Sequence, residues 1–326
     1  MVDIRMSRGR TEKAKAHETR GIRGVLRDIA IAAIVVAAVF AAIFAYTQVY
    51  PPLVVVESES MQHSDDVSYV GVIDTGDLVF VQAARGRADV ITWVEGRVNG
   101  HQTYGDYGDV IVFWKPPPYQ DPTPVIHRAI LHILPSGGDA YDVPALEAWD
   151  DSDWDGVVLG GANATTPYGL ESVTLRGLGW RHDLTVTFDL ATFARTFRGV
   201  AGYITMGDHN AYTSIARHDP WVVPEWNVVG RARGEVPWFG LLKLMFDPGG
   251  GTCCQGWGDP DAPKNSWDSL LIALPLVFAS PFIAEGVIGA LRRYVLPRFR
   301  RRRAGGSEID ATDTTDPTED DSLDAK

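Results

Sequence analysis

Two stretches of the chain lose nearly all polar character, and between them the pattern breaks into short runs. Ile29 to Tyr46 contains no charged residue. Extended to Tyr50 and coiled at ~1.5 Å per residue, the run can cross a ~30 Å hydrocarbon core. A second apolar run covers Leu270 to Leu291 and carries Pro275, Pro281 and Glu285. Membrane helices tolerate proline. A lone carboxylate costs less near the end of a span, where Glu285 lies, than at mid-bilayer. The pattern therefore predicts transmembrane helices over 29–50 and 270–291. A cleaved leader is the rival reading of the first run. That run is long for a leader, and a chemically suggestive motif follows it within about ten residues, which favours a retained anchor.

Between the spans, Asp77 to Gln82, Asp109 to Trp114, Val125 to Leu134 and Leu184 to Leu190 are β-branched or alternating, and Gly and Pro clusters separate them. Such runs read as strands. No helical period is sustained there, and the 33 glycines and 20 prolines also favour a turn-rich body. The expected fold is mainly β: an antiparallel sheet domain over 51–268. Residues 135–197 are less patterned, rich in Asp, Gly, Trp and Thr, and read as an insertion. Asn163-Ala164-Thr165 is an N-glycosylation sequon, a pattern that chance also produces.

Charge sets an orientation. Arg5, Arg8, Arg10, Lys13, Lys15, Arg20, Arg23 and Arg27 precede the first run. Arg292, Arg293, Arg298 and Arg300 to Arg303 follow the second. Lys/Arg-rich flanks stay cytoplasmic, so 1–28 and 292–326 are expected inside and the β domain outside. The net charge of -12 is concentrated in the end of the chain, from Glu308 to Asp324, which has no apolar pattern and reads as a solvated, disordered tail. The balance is compatible with solubility at high salt and disfavours a nucleic-acid partner.

Cys253 and Cys254 are neighbours. A bridge between them needs a strained ring, so none is expected, and the pair alone is not a metal site. The eight histidines are scattered without an H-E-x-x-H pair, which disfavours a metalloprotease. G-x-S-x-G, the context of many acyl hydrolases, is absent. No cofactor is expected.

Four segments carry candidate chemistry. Val54 to Met61 reads VVVESESM and places Ser60 just beyond the first span. A serine nucleophile needs a base, and His127, in Val125-Ile126-His127-Arg128, titrates naturally near neutrality. Tyr203 to Asn210 reads YITMGDHN, where Asp208 is a carboxylate able to orient an imidazole. Val229 to Pro237 reads VGRARGEVP. Each segment alone has an ordinary structural reading.

Their order is informative. A span, then S-x-S-M, G-D-L-V-F-V, G-D-V-I-V-F, I-H-R, G-D-x-N and V-G-R-A-R-G-x-V-P resembles the box order of signal peptidase I, in its archaeal and endoplasmic-reticulum branch. Bacterial members carry lysine where this chain has His127. The resemblance covers about 50–134 and 200–245. It implies a membrane-bound serine endopeptidase that removes signal peptides after small residues. Ser60 would be the nucleophile, His127 the general base and Asp208 the conserved acid, with Ser58 and the Ser60 backbone N–H forming the oxyanion hole. The implied partners are signal peptides, the bilayer and the translocation machinery. Three positions depart from the pattern. His209 replaces an Asn, Gln62-His63 follows Met61, and Ser214 stands where a second Asp is usual. Either Asp208 or Asp219 is then the triad acid. The alternative is an inactive homologue serving as a structural subunit of a secretion complex.

Overall fold

The computed structural model describes residues 3–246, 253–254, 256–290 and 293. The chain divides into two units, 1–269 and 270–326. The acidic tail and most of the second arginine cluster lie outside the described residues.

The first unit begins with α1, Asp3–Thr47, which continues the apolar run back through the basic segment. Its uncharged stretch is longer than a buried core helix needs, and Ile34, Val36 and Phe40 are exposed. Residues 24–47 are long and apolar enough to cross a membrane. The helix stops at Thr47, short of the expected Tyr50.

Thirteen strands follow among the described residues. They are β1 (Leu53–Val55), β2 (Leu78–Ala83), β3 (Gln102–Thr103), β4 (Asp106–Tyr107), β5 (Val110–Phe113), β6 (Val125–Gly137), β7 (Ala140–Asp142), β8 (Trp154–Val158), β9 (Ala162–Asn163), β10 (Leu170–Leu178), β11 (Leu184–Asp189), β12 (Gly202–Met206) and β13 (Val228–Val236). All pairings are antiparallel, and eleven strands join one sheet, with β3 and β4 a separate hairpin. The expected mainly β, antiparallel body is what the structure contains.

β6 is the spine of the sheet. Its first half pairs with β5 and β12, with His127 opposite Ile111 and Ala129 opposite Thr205. Its last residues pair with β7 and lead into a second lobe, where β10 is flanked by β8 and β11. A thirteen-residue strand thus ties the two lobes by continuous backbone hydrogen bonds.

Residues 135–197 are better organised than their composition suggested. Leu170, Val173, Leu175 and Leu178 on β10, with Leu184, Val186 and Phe188 on β11, point into the main core. A bulge between Arg176 and Leu178 shifts the alternation on β10 and hides its period. Short helices lie between the strands: α2 (Trp93–Asn99), α3 (Leu190–Phe197), α4 (Asn210–Thr213) and α5 (Gly240–Phe246). Each is at most eight residues, too short for periodicity to show. α2 is started by a capping box in which Thr92 and Glu95 satisfy each other's backbone N–H, a local signal rather than a periodic one.

α6, Lys264–Ala290, begins in the first unit, earlier than the expected Leu270. Residues 264–289 are also long and apolar enough to span a membrane, with Pro275 and Pro281 inside the helix. Before it, Cys253 and Cys254 are joined in a disulfide, which corrects the expectation of two separate thiols.

Candidate active site

Ser60 lies in the 3₁₀ turn Glu59–Met61 that follows β1. The turn forms there because Met61 is drawn into a small apolar cluster with Val56, Ile73, Val79, Val110 and Ala232. Burying Met61 presents the preceding Ser60 at the surface of that cluster, where it is half-buried. Gln62 fixes the far side of the turn, with its amide donating to Asp65 (3.2 Å) and its carbonyl accepting from Thr75 (3.3 Å).

The loop after β12 closes on this turn. The His209 N–H donates to the Ser60 carbonyl at 3.0 Å. Gly207 lies between them, and a Cβ there would stand 2.5 Å from the Ser60 carbonyl oxygen and 3.0 Å from His127 Nε2. Only glycine permits that approach. One point on Gly207 therefore borders both the Ser60 backbone and the imidazole edge.

His127 is buried on β6, its ring edge-on to Phe113 at 6.5 Å. Its Nδ1 stands 2.7 Å from Asp219 Oδ2. A carboxylate accepts, so Nδ1 carries a proton, and the Nε2 edge is turned toward Gly207. Asp219 is itself held: its N–H donates to the Thr205 carbonyl at 2.9 Å, and the Thr205 hydroxyl donates to its Oδ2 at 2.5 Å.

Asp208 occupies a different place: of the two candidate acids, Asp219 is the one that stands beside His127. It receives a two-pronged contact from Arg128, Nε to Oδ1 at 2.8 Å and Nη2 to Oδ2 at 2.6 Å. The reason is the pleat. Neighbours on a strand face opposite sides, so His127 and Arg128 meet different carboxylates. Burial works to raise the Asp208 pKa, but the Arg128 and His63 contacts outweigh it and hold the carboxyl below its usual range. Arg128 is fully buried and also donates to the Thr103 and Tyr107 carbonyls at 2.9 and 3.1 Å. Asp208 thus fastens the loop after β12 to β6 and to the β3–β4 hairpin.

Ser58 is exposed, and its hydroxyl donates to Ser60 Oγ at 3.3 Å. Ser60 and His127 are not joined by a hydrogen bond. Asp109, buried, and Arg233, half-buried, from two other sequence boxes, form an ion pair at 2.9 Å. Arg233 and His101 outweigh the effect of burial and hold the Asp109 carboxyl low.

The structure brings Ser60, His127 and Asp219 to one face, with Ser58 beside Ser60, and sets Asp208 behind them. Sequence reasoning missed Thr205, whose place in a run of apolar residues carries no signal. It also missed His63, noted only as a departure. No family model, curated protein or solved structure matches the chain.

Proposed function

We propose that this chain is a membrane-anchored serine endopeptidase of the signal peptidase I kind, cutting exported preproteins after small residues. The observation that carries the reading is the His127–Asp219 pair at 2.7 Å, with the Nε2 edge facing the loop that binds the Ser60 carbonyl. Ser60 Oγ attacks the scissile carbonyl and His127 Nε2 takes its proton. Asp219 stabilises the resulting imidazolium. The Ser60 N–H and the Ser58 hydroxyl receive the oxyanion, one such donor being worth ~3 kcal/mol. His127 then protonates the leaving amine, and water, deprotonated by the same imidazole, releases the acyl group. Breaking the Ser58–Ser60 contact frees Ser60 Oγ for His127 and Ser58 for the oxyanion.

Two helices able to span a bilayer flank the domain. With basic residues at their outer flanks, both termini are assigned to the cytoplasm and the catalytic domain to the far side. Ser60, about a dozen residues beyond Thr47, then meets a signal peptide where its apolar segment leaves the membrane.

One observation favours a second reading, an inactive homologue within a secretion complex: the Ser60 hydroxyl is bonded to Ser58 rather than His127. The test is cleavage of a preprotein with an intact A-x-A site by wild type and Ser60→Ala, in membranes at equal amounts. Cleavage by wild type alone supports the peptidase. Cleavage by both removes Ser60 as the nucleophile. Cleavage by neither, with no labelling of Ser60 by a fluorophosphonate, favours the inactive homologue.

A further inference from the structure

The second lobe reaches the residues around Asp208 through the β10–β11 turn, Gly179 to Asp183. Trp180 lies flat on the His63 ring, with centroids 4.5 Å apart and planes 7° from parallel. His63 Nε2–H donates to Asp208 Oδ2 at 3.1 Å, and its side chain is 9% exposed. His63 is three residues from Ser60, and Asp208 is held to β6 by Arg128. A continuous chain of contacts therefore runs from the second lobe to the serine turn and on to the strand that carries His127.

The turn is built for this docking. Gly179 has φ +78°, and a Cβ there would stand 2.6 Å from Tyr212 Oη. The Arg181 N–H donates to that oxygen and Tyr212 donates to Asp183, both at 3.0 Å. Arg181 stacks over both the Trp180 and Tyr212 rings. Tyr212 lies on α4, directly after the Gly207-Asp208 loop. His182 pairs with the buried Asp106 at 3.0 Å and stacks on Tyr107. Both loops that flank Asp208 are thus gripped by one turn.

We propose that the β10–β11 turn is a clamp that sets the Ser60 turn, and that Trp180 and His63 are positioning residues acting through Asp208. Their catalytic consequence rests on the peptidase reading above. The clamp itself does not, because it has a structural readout.

The experiment uses the full-length protein in detergent or membranes, with Trp180→Ala, His63→Ala, their double variant, and the conservative His63→Gln and Trp180→Phe. Hydrogen exchange over 58–63 reads the clamp directly. Expected are tenfold or faster exchange there in both alanine variants, with the core strand β6 still protected. Preprotein cleavage should fall ten- to hundredfold in kcat with KM within about twofold. Gln, which keeps a donor to Asp208, and Phe, which keeps the stacking face, should restore most of both. The double variant should be no worse than either single one, as expected for one chain of contacts. Unchanged exchange and kcat in Trp180→Ala overturn the clamp, as do additive losses or losses that the conservative variants fail to rescue. If wild type neither cleaves nor labels, the peptidase reading fails while exchange still decides the clamp.

Discussion

Asp208 and Asp219 are both buried carboxylates beside an imidazole, yet they do different work. Asp219 serves one group, His127, and is steadied by Thr205. Asp208 balances the fully buried Arg128. On the peptidase reading proposed above, Asp219→Asn should keep the fold and lower kcat by about 10³–10⁴-fold, because the amide favours the wrong tautomer. Asp208→Asn should remove the closest of the carboxylates that balance Arg128, leaving Asp106 at 3.9 Å, and cost about 3 kcal/mol of stability, read by thermal unfolding. Thr205→Val should lower kcat by about tenfold, since one hydrogen bond to the charged acid is removed at nearly constant volume. A loss of kcat without a loss of melting temperature in Asp208→Asn, or the reverse pattern in Asp219→Asn, would exchange the two roles. At this scale the sequence named Ser60 and His127 as candidates through their boxes. It could not rank the two acids. That ranking depends on which side of β6 each loop reaches, a matter of pleat and long-range closure that local pattern does not encode.

The elements themselves were legible where β-branched residues ran on unbroken. Asp109 to Trp114 and Val125 to Leu134 read as strands, and strands cover Val110–Phe113 and Val125–Gly137, both buried along consecutive residues rather than on alternate ones. The second lobe was obscured by the bulge on β10, and α2 by its length. A further element-scale feature is the acidic loop that closes onto β13, whose Asp77 and Glu235 fall inside the boxes G-D-L-V-F-V and VGRARGEVP without their sequence showing that the two meet. Asp74, Asp77 and Glu235 sit there, tied by backbone donors. The Asp74 and Trp238 N–H groups donate to Asp77 at 2.9 Å each, and the Gly71 N–H donates to Glu235 at 2.5 Å. Burial raises their pKa values to about 6, 8 and 7 respectively. The folded state therefore holds protons that the unfolded chain, with carboxyls near ~4, has already released. Stability from these groups is fully present below the unfolded pKa and is lost as pH rises through the folded values. His132, pushed down to about 4 by burial, works the other way, but only below its ordinary value of 6.5. Thermal melts at rising pH above that value should thus show falling stability, and Asp77→Asn should flatten the slope. A slope that rises with pH, or one that Asp77→Asn leaves intact, would show that these carboxyls are not protonated in the fold.

On the scale of the whole molecule, the two long helices make the strongest physical demand. Phe40 on α1 is 63% exposed, and Phe278 and Phe282 on α6 are 75% and 76% exposed. Apolar surface of this extent needs a covering, and spans of this length match a bilayer. Length and apolar character alone pointed to both helices, because an apolar run of that length needs no tertiary context to be recognised. Orientation is a separate question, read here only from the flanking arginines. It can be tested with single cysteines in a Cys253→Ser, Cys254→Ser background. Leu159, 77% exposed in the second lobe, becomes Leu159→Cys to report on the domain, and Ser7→Cys reports on the basic segment. In intact cells an impermeant thiol reagent should modify the first and spare the second until the membrane is opened. The protein should stay in the pellet after alkaline carbonate extraction. Labelling of Ser7→Cys alone would place the sheet domain in the cytoplasm, where a serine poised at the outer face has no exported substrate to meet. Labelling of both in sealed cells, with release by carbonate, would mean that the helices do not span, and the distance from Thr47 to Ser60 would then measure nothing.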